Sequence, residues 1–428
     1  MDKYNIVMPQ EVKDIIKQIE AAGFEAFAVG GCVRDCILGR TPQDWDITTS
    51  ALPSQIKEIF ARTIDTGIQH GTVTVMIGKT GYEITTYRID GEYKDCRHPE
   101  NVEFSSDLKD DLKRRDFTIN AMAYNDSTGL VDEFDGINDL NKGIIRCVGD
   151  AKERFTEDAL RMMRAIRFSA QLGFDIEENT YNAISKLSPS ISHVSMERIQ
   201  VELVKTLLSD NPGYVMRFYE TGLFKYVLPD IGRVLGGRYS RNALTMLKFS
   251  KKQPVFRYAA LLNTLEPENV RKTLRELKLD NYTVEHVTKL VANSKVTIEE
   301  NEPALREAVH QYGRELIQMM FEHEEAIIAT KEEITGIKKE IKEKYHIYRK
   351  LAGKKKHLIV LRTMYDEITK RGDCICIKDL DITGNDLMEY GLKGPEIGKT
   401  LNELLGVVIE NPRLNDKATL IALIEHLN

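Results

Sequence analysis

Three short fragments hold residue types able to do phosphate and metal chemistry: Gly30-Gly31 followed by Arg34-Asp35, then Asp44-Trp45-Asp46, then Arg114-Arg115-Asp116-Phe117-Thr118. Carboxylates at i and i+2 of a strand point to the same side. Held that way Asp44 and Asp46 repel, unless a cation lies between them. Mg²⁺ suits, because it takes one or two carboxylates plus substrate phosphates. Two such ions can activate an attacking hydroxyl and neutralise a leaving pyrophosphate. The plainer reading is a surface turn, since Pro42-Gln43-Asp44 is turn-like. The position of the pair, 13 residues after Gly31, weights it towards the metal.

Glycine lets backbone N–H groups approach phosphate oxygens, and a helix N-terminus favours an anion. Gly31 and Arg34 are therefore candidates for a triphosphate, against the common alternative of a tight turn. The element is neither a P-loop, because no Gly-Lys-Ser/Thr follows, nor a dinucleotide fingerprint, because the third glycine is out of place. Arg114 and Arg115 can each grip a phosphate bidentately. Asp116 beside them can accept from a ribose hydroxyl; the competing reading is a salt-bridged helix start. Farther on, Asp158, Arg161, Arg164 and Arg167 recur at i+3, which lays them along one helical face. An ion-pair ladder is the ordinary explanation. Asp158 and Arg161 together also offer an acceptor and a forked donor, which match the edge of cytosine or adenine and not of uracil or guanine. A wrong base would leave buried polar groups unpaired, a penalty of kcal/mol order.

These groups need a scaffold. Residues 10–22 alternate apolar and charged at helical spacing, Ala26–Val29 reads as a strand, 33–38 as a helix, and Trp45–Thr48 as a strand. Val73–Ile77 and Glu83–Arg88 read as a hairpin through Gly78-Lys79-Thr80-Gly81. From Glu153 onward the signals are helical (Glu157–Gln171, Thr180–Lys186, Met196–Leu208, Tyr214–Thr221), with one short strand run at Cys374–Ile377. An α+β head over 1–150 followed by an all-helical remainder is expected.

The 428 residues are 42% hydrophobic and 29% charged, a globular composition long enough for several domains. The absence of a long apolar run and of a charged-then-apolar leader argues against a membrane span or secretory signal. Six scattered cysteines without zinc-like spacing suit a reducing cytoplasm. The net charge of −6 counts mildly against a nucleic-acid binder. Yet Lys331–Lys356 holds ten Lys or Arg against four Glu. That stretch is either a solvated helical face or a stripe that tracks phosphates.

Phe27 through Asp35, Asp44-Trp45-Asp46-Ile47, Arg114 through Ala121 and Glu157 through Phe168 resemble the successive motifs of class II (bacterial/eukaryotic type) tRNA nucleotidyltransferases. These are the CCA-adding enzymes, relatives of bacterial poly(A) polymerases. The likeness covers about 20–230 and resumes at Leu380–Leu387 and Gly394–Gly398. It implies a polymerase-β-like head (1–150), an all-α neck with a nucleotide-selecting helix (151–230), a body (231–356) and a tail (357–428), with tRNA bound by its acceptor stem and 3′ end. Asp44 and Asp46 would hold two Mg²⁺ ions, with Glu83 as candidate third carboxylate. Gly31, Arg34 and Arg115 would contact the triphosphate, and Asp116 the ribose. Asp158 and Arg161 would select CTP and then ATP, and Arg164 and Arg167 would complete the pocket. Asp90, Gly91, Tyr93, Asp95 and Arg97 match the flexible loop of members that complete CCA, against the alternative of a plain hairpin excursion. Some members carry a metal-dependent phosphohydrolase in the body; here Asn263-Thr264 stands where His-Asp would be, which argues against a second activity. An A-adding enzyme or poly(A) polymerase is the near alternative, and a non-catalytic RNA-binding protein the distant one. Oligomeric state is not legible.

Overall fold

The computed structural model describes residues 6–90, 102–336 and 345–427. The chain divides into two compact units, Met1–Gly236 with Glu276–Lys278, and Gly237–Arg275 with Leu279–Asn428.

The first unit opens with α1 (Gln10–Ala21), which buries Val12, Ile15, Ile16 and Ile19 at helical spacing. Then follow β1 (Ala26–Val29), α2 (Gly31–Ile37), β2 (Ile47–Thr49), α3 (Pro53–Ile59), β3 (Thr63–Gly67), β4 (Thr72–Ile77), β5 (Thr80–Thr86), β6 (Arg88–Asp90), β7 (Val102–Phe104), α4 (Leu108–Lys113), β8 (Met122–Asn125) and β9 (Gly129–Asp132). Seven strands make one mixed sheet in the order β3-β4-β5-β2-β1-β8-β9, and β6 pairs with β7 separately. β1 is antiparallel to both β2 and β8, and all four of its residues are buried, as an interior strand's apolar run requires. β2 and β5 form the parallel pair. The expected hairpin is present, with Ile77 opposite Thr80 across Gly78-Lys79.

Helices follow: α5 (Gly136–Lys142), α6 (Ala151–Glu157), α7 (Leu160–Leu172), α8 (Glu178–Leu187) and α9 (Met196–Leu207). One further parallel pair, β10 (Ile144–Ile145) with β11 (Asp175–Ile176), lies within this region. The helix expected at Glu157–Gln171 is broken: Asp158 leaves helical geometry at φ −138°, ψ 105°, and α7 starts at Leu160. Asp158 Oδ1 accepts from the Leu160 N–H at 3.0 Å, so its side chain serves the helix start rather than a helical face.

The second unit is helical. Helices Arg314–Thr335 and Tyr345–Arg371 share a core of Leu305, Val309, Ile317, Phe321, Ile328, Leu358, Leu361, Tyr365 and Ile368. The border expected between 356 and 357 falls inside Tyr345–Arg371. Gly353 costs a helix roughly 1 kcal/mol relative to alanine, but Lys354–Glu324 (2.8 Å) and Lys355–Glu332 (2.7 Å) pin this stretch to the preceding helix. A smaller core gathers Leu387, Leu404, Leu405, Val408 and Leu420. The strand expected at Cys374–Ile377 does not form. Asp379 Oδ2 accepts from the N–H groups of Ile375 and Cys376, both at 3.1 Å, and so takes the donors a ladder would need. No helix among the described residues is long and apolar enough to cross a membrane.

Candidate functional site

Gly30 joins β1 to α2 at φ +81°, a conformation side chains disfavour. A Cβ there would also stand 2.9 Å from Arg115 Nη1. The glycine thus lets a guanidinium lie against the backbone at the end of β1. α2 starts at Gly31, two residues earlier than expected, and buries Arg34. Arg34 Nη1 donates to Asn120 Oδ1 at 2.6 Å and Nε to Asp35 Oδ1 at 2.9 Å.

Asp44 and Asp46 lie in the extended segment before β2, not within it. The antiparallel pairing nevertheless reaches Asp46, whose carbonyl accepts from the Val29 N–H at 3.0 Å. Partial desolvation holds the Asp46 carboxyl above its usual range; the Arg115 charge opposes that rise and the Asp44 charge adds to it. The neighbouring Cys32 thiol is pushed up to about 12 by burial and by the Asp46 charge, so it stays neutral. Ile47 pairs with Ile84, so one residue back the register sets Asp46 beside Glu83, which is exposed on β5. Among the described residues no three His, Cys, Asp or Glu side chains gather as a metal-ready group, so Asp44, Asp46 and Glu83 do not form a preformed triad. Two carboxylates at one edge fit Mg²⁺, which takes its other ligands from substrate and water.

Arg114 and Arg115 close the C-terminal end of α4, not a helix start. Both pair with fully buried Asp111, at contacts that include Arg115 Nη2 to Oδ2 at 3.1 Å. Burial works to raise Asp111, but the two guanidiniums win and hold it below the usual range. Thr48 Oγ1 also donates to Asp111 at 3.2 Å, which anchors the cluster to β2.

Asp116 is buried and fully engaged. Its Oδ1 accepts from the Asn120 amide at 3.1 Å, and its Oδ2 from Arg164 Nε at 2.7 Å. Burial opposes ionisation, yet the Arg164 charge, the Asn120 and Arg164 hydrogen bonds and the Arg161 charge outweigh it and set Asp116 at about 2.

In the helical part, Arg161, Arg164 and Arg167 all lie on α7, while Asp158 lies just outside it. Asp158 Oδ2 pairs with Arg198 of α9 at 2.7 Å. Arg161 Nη1 pairs with Glu157 at 2.5 Å, and its Nη2 donates to the Arg114 carbonyl at 3.0 Å. Asp158 and Arg161 are therefore neighbours held by different partners. Arg167 Nε pairs with Glu202 at 2.5 Å, and both groups are buried. The expected ladder does not form: Asp158 pairs with Arg198, and Arg161, Arg164 and Arg167 pair instead with Glu157, Asp116 and Glu202.

Asp90 ends β6; Gly91, Tyr93, Asp95 and Arg97 lie outside the described residues. In the second unit, Asn263 Oδ1 lies 3.1 Å from His323 Nε2, and burial lowers His323 to about 4.

Sequence reasoning missed Asp111, Asn120, Glu157, Arg198 and Glu202, and the ring of Phe168. Asp111 was findable, since it stands at i−3 and i−4 from two arginines on a helix. Arg198 and Glu202 meet their partners only through tertiary folding, and Asn120 reaches Arg34 that way while bonding Asp116 four residues back.

Three family models match the chain: the poly A polymerase head domain over 26–146, the "Probable RNA and SrmB- binding site of polymerase A" over 173–235, and tRNA nucleotidyltransferase domain 2 over 249–424. The CCA-adding enzyme of Ligilactobacillus salivarius is 38% identical over 426 residues, 97% of this chain and 96% of that one. That of Leuconostoc mesenteroides is 55% identical over 204 residues, 47% of this chain and 51% of that one. A crystal structure of the Bacillus stearothermophilus CCA-adding enzyme in complex with CTP matches with TM-score 0.75 and 30% identity, covering 98% of both chains. A Thermotoga maritima CCA-adding enzyme complexed with tRNA shares the fold, with TM-score 0.60 and 21% identity over 99% of this chain and 97% of that one. With an α+β nucleotidyltransferase head followed by helices, and with that likeness running along its whole length, the chain belongs to the family of class II CCA-adding tRNA nucleotidyltransferases.

Proposed function

We propose that this chain adds C, C and A in turn to the 3′ end of tRNA from CTP and ATP, without a nucleic-acid template. One observation carries the reading. The Arg115 guanidinium lies against Gly30 and acts on the Asp46 carboxylate, which joins three motifs distant in sequence at one end of the sheet. A triphosphate fits there because Arg115 and Arg34 supply fixed donors, and the glycine turn leaves the backbone approachable. Asp44 and Asp46 would hold two Mg²⁺ ions, which when bound supply activation of the attacking hydroxyl and charge neutralisation on pyrophosphate. Glu83, one residue before the β2–β5 pairing begins, is the third candidate, though the three carboxylates are not gathered.

Asp116 would accept the ribose hydroxyl in exchange for one of its present donors, while Arg164 keeps it ionised. Asp158 and Arg161 read the base edge. Arg198 orients the Asp158 carboxylate, and Glu157 the Arg161 guanidinium. Arg167, tied to Glu202, closes the pocket wall. The segment from Asp90 to Arg97 is the element that re-poses the template between C and A. The tRNA is held mostly through phosphates and helix shape, since every tRNA must be accepted. A cytoplasmic setting goes with this reading, and the free Cys32, Cys36, Cys147, Cys374 and Cys376 support it.

The test is incorporation of labelled CTP and ATP, separately and together, into tRNAs ending at the discriminator base, at C and at CC, with Mg²⁺. Ordered C, C, A addition that then stops is expected. ATP-only addition to the CC-ended tRNA would make this an A-adding enzyme. Asp46→Ala abolishes incorporation while tRNA binding survives; retained incorporation overturns the metal assignment.

A further inference from the structure

The ring of Phe168, on α7, is only 6% exposed and has no polar atom, yet three guanidiniums surround it. Arg167 Cζ stands 3.8 Å from the ring centroid, Arg34 Cζ 5.1 Å and Arg164 Cζ 5.4 Å. Three like charges around one point repel, so each needs a compensating partner. Asp35, Asp116 and Glu202 supply the carboxylates, one for each arginine. The ring supplies what the carboxylates do not: negative π faces, which attract guanidiniums within about 6 Å of the centroid. Phe117 meets Phe168 edge-to-face, at 5.8 Å and 80°, and so fixes the plane of the ring.

The contacts form a closed circuit. Arg34 donates to Asn120 at 2.6 Å, Asn120 donates to Asp116 at 3.1 Å, Arg164 donates to Asp116 at 2.7 Å, and both Arg34 and Arg164 return to the Phe168 ring. The circuit links α2, the loop before β8, and α7. It also links the arginine assigned to the triphosphate with the carboxylate assigned to the ribose.

We infer that Phe168 is a positioning residue for nucleotide binding, its π face setting the guanidiniums of Arg34 and Arg164 at the spacing between triphosphate and ribose. The inference rests on the proposed roles of Arg34 and Asp116. A purely packing role would need only an apolar side chain of this volume. A positioning role needs the aromatic face.

The experiment compares Phe168→Leu, Phe168→Met and Phe168→Tyr in the full-length chain, measuring KM and kcat for CTP and ATP on tRNA, CTP binding without tRNA, and Tm. Leucine and methionine are expected to raise KM for both nucleotides, and the Kd for CTP, about tenfold, which is about 1.4 kcal/mol. Tyrosine, which keeps the face, stays within about threefold of the parent. Loss of folded protein alone lowers kcat in proportion and leaves KM and CTP affinity unchanged. KM within threefold of the parent for leucine and methionine overturns the inference, as does an equal rise for leucine and tyrosine. Methionine stands in if the leucine variant does not fold. Asp46→Ala, run in parallel, separates the two failures: if it retains incorporation, the functional reading falls, whereas a dead Asp46→Ala with unperturbed Phe168 variants removes only the role of the ring.

Discussion

Asp116 and Asp46 are carboxylates in one site with opposite environments. Asp46 is held above its ordinary range, with desolvation ahead of its one cationic neighbour. Asp116, more deeply buried, is held at about 2 because Arg164 and Asn120 are already fixed on it. The difference suits their proposed tasks: the first awaits a cation, and the second must stay ionised to accept from ribose. Linkage turns the second into a stability statement. A carboxyl whose folded pKa is depressed adds stability that is present in full above its unfolded value, near 4, and is lost as pH falls through the folded value. For Asp116 the window is about pH 4 down to 2, and the amount about 2 kcal/mol. Asp116→Asn is therefore expected to be less stable than the parent by about that amount at pH 7, and to converge on it as pH falls to 2. Denaturant midpoints across that range check it, and a difference that persists unchanged at pH 2 would remove the ionic account. The charge types at this site were legible in the sequence: Gly31, Arg34, Arg115 and Asp116 do meet at one end of the sheet. Their partners were not. Asn120 lies four residues after Asp116 in a short 3₁₀ turn, Thr118–Asn120, rather than an α-helix, and Glu202 meets Arg167 across 35 residues, so no α-helical period announces either.

Elements were legible where their faces are unambiguous. The apolar stripe of α1 and the uniformly apolar β1 follow from side-chain period alone. Two of the differences share a cause: a side chain captured backbone donors. Asp158 takes the Leu160 N–H and moves the start of the expected helix from Glu157 to Leu160; Asp379 takes two N–H groups and cancels a strand. The helix Pro395–Glu410 is governed similarly from outside itself. Arg306, fully buried, donates to the carbonyls of Ile409 at 2.6 Å and Glu410 at 3.3 Å, at the end of that helix, and pairs with Asp373 at 2.9 Å and Glu302 at 3.0 Å. A cation at a helix C-terminus is favourable. Removing one member of a buried charged network costs about 3–5 kcal/mol, because the others are left unpaired. Arg306→Ala should lower the stability of the second unit by that order and expose the segment after Asp373 to protease before the rest. If limited proteolysis cuts parent and variant at the same rates in that segment, the tie is ornamental.

At the scale of the molecule, charge balance poses a problem that local chemistry must solve. A chain with net charge −6 repels RNA at long range, yet the reaction requires a polyanion to be held. The basic run Lys331–Lys356 is the sequence's candidate answer, and the described part of it is more restrained than its composition suggests. Lys354 and Lys355 are paired with Glu324 and Glu332, and Lys331 is pulled below the usual lysine range by burial and by Lys354. Lys356 is exposed and makes no ion pair among the described residues. Some of its lysines therefore brace two helices, and Lys356 is the described one we propose for phosphate. Neutralised phosphates release counterions, so log K falls linearly with log salt, by about 0.7–0.9 per contact. Affinity for tRNA is expected to fall steeply between about 50 and 200 mM salt despite the negative net charge. Lys356→Ala should lower that slope by about one contact's worth, roughly uniformly across tRNAs. Lys355→Ala should act instead through helix stability, because it first breaks the pair with Glu332. Equilibrium binding at several salt concentrations separates the two: a flat salt dependence of the parent would end the electrostatic account of RNA capture, and equal slopes for Lys356→Ala and the parent would place the phosphate track elsewhere on the chain.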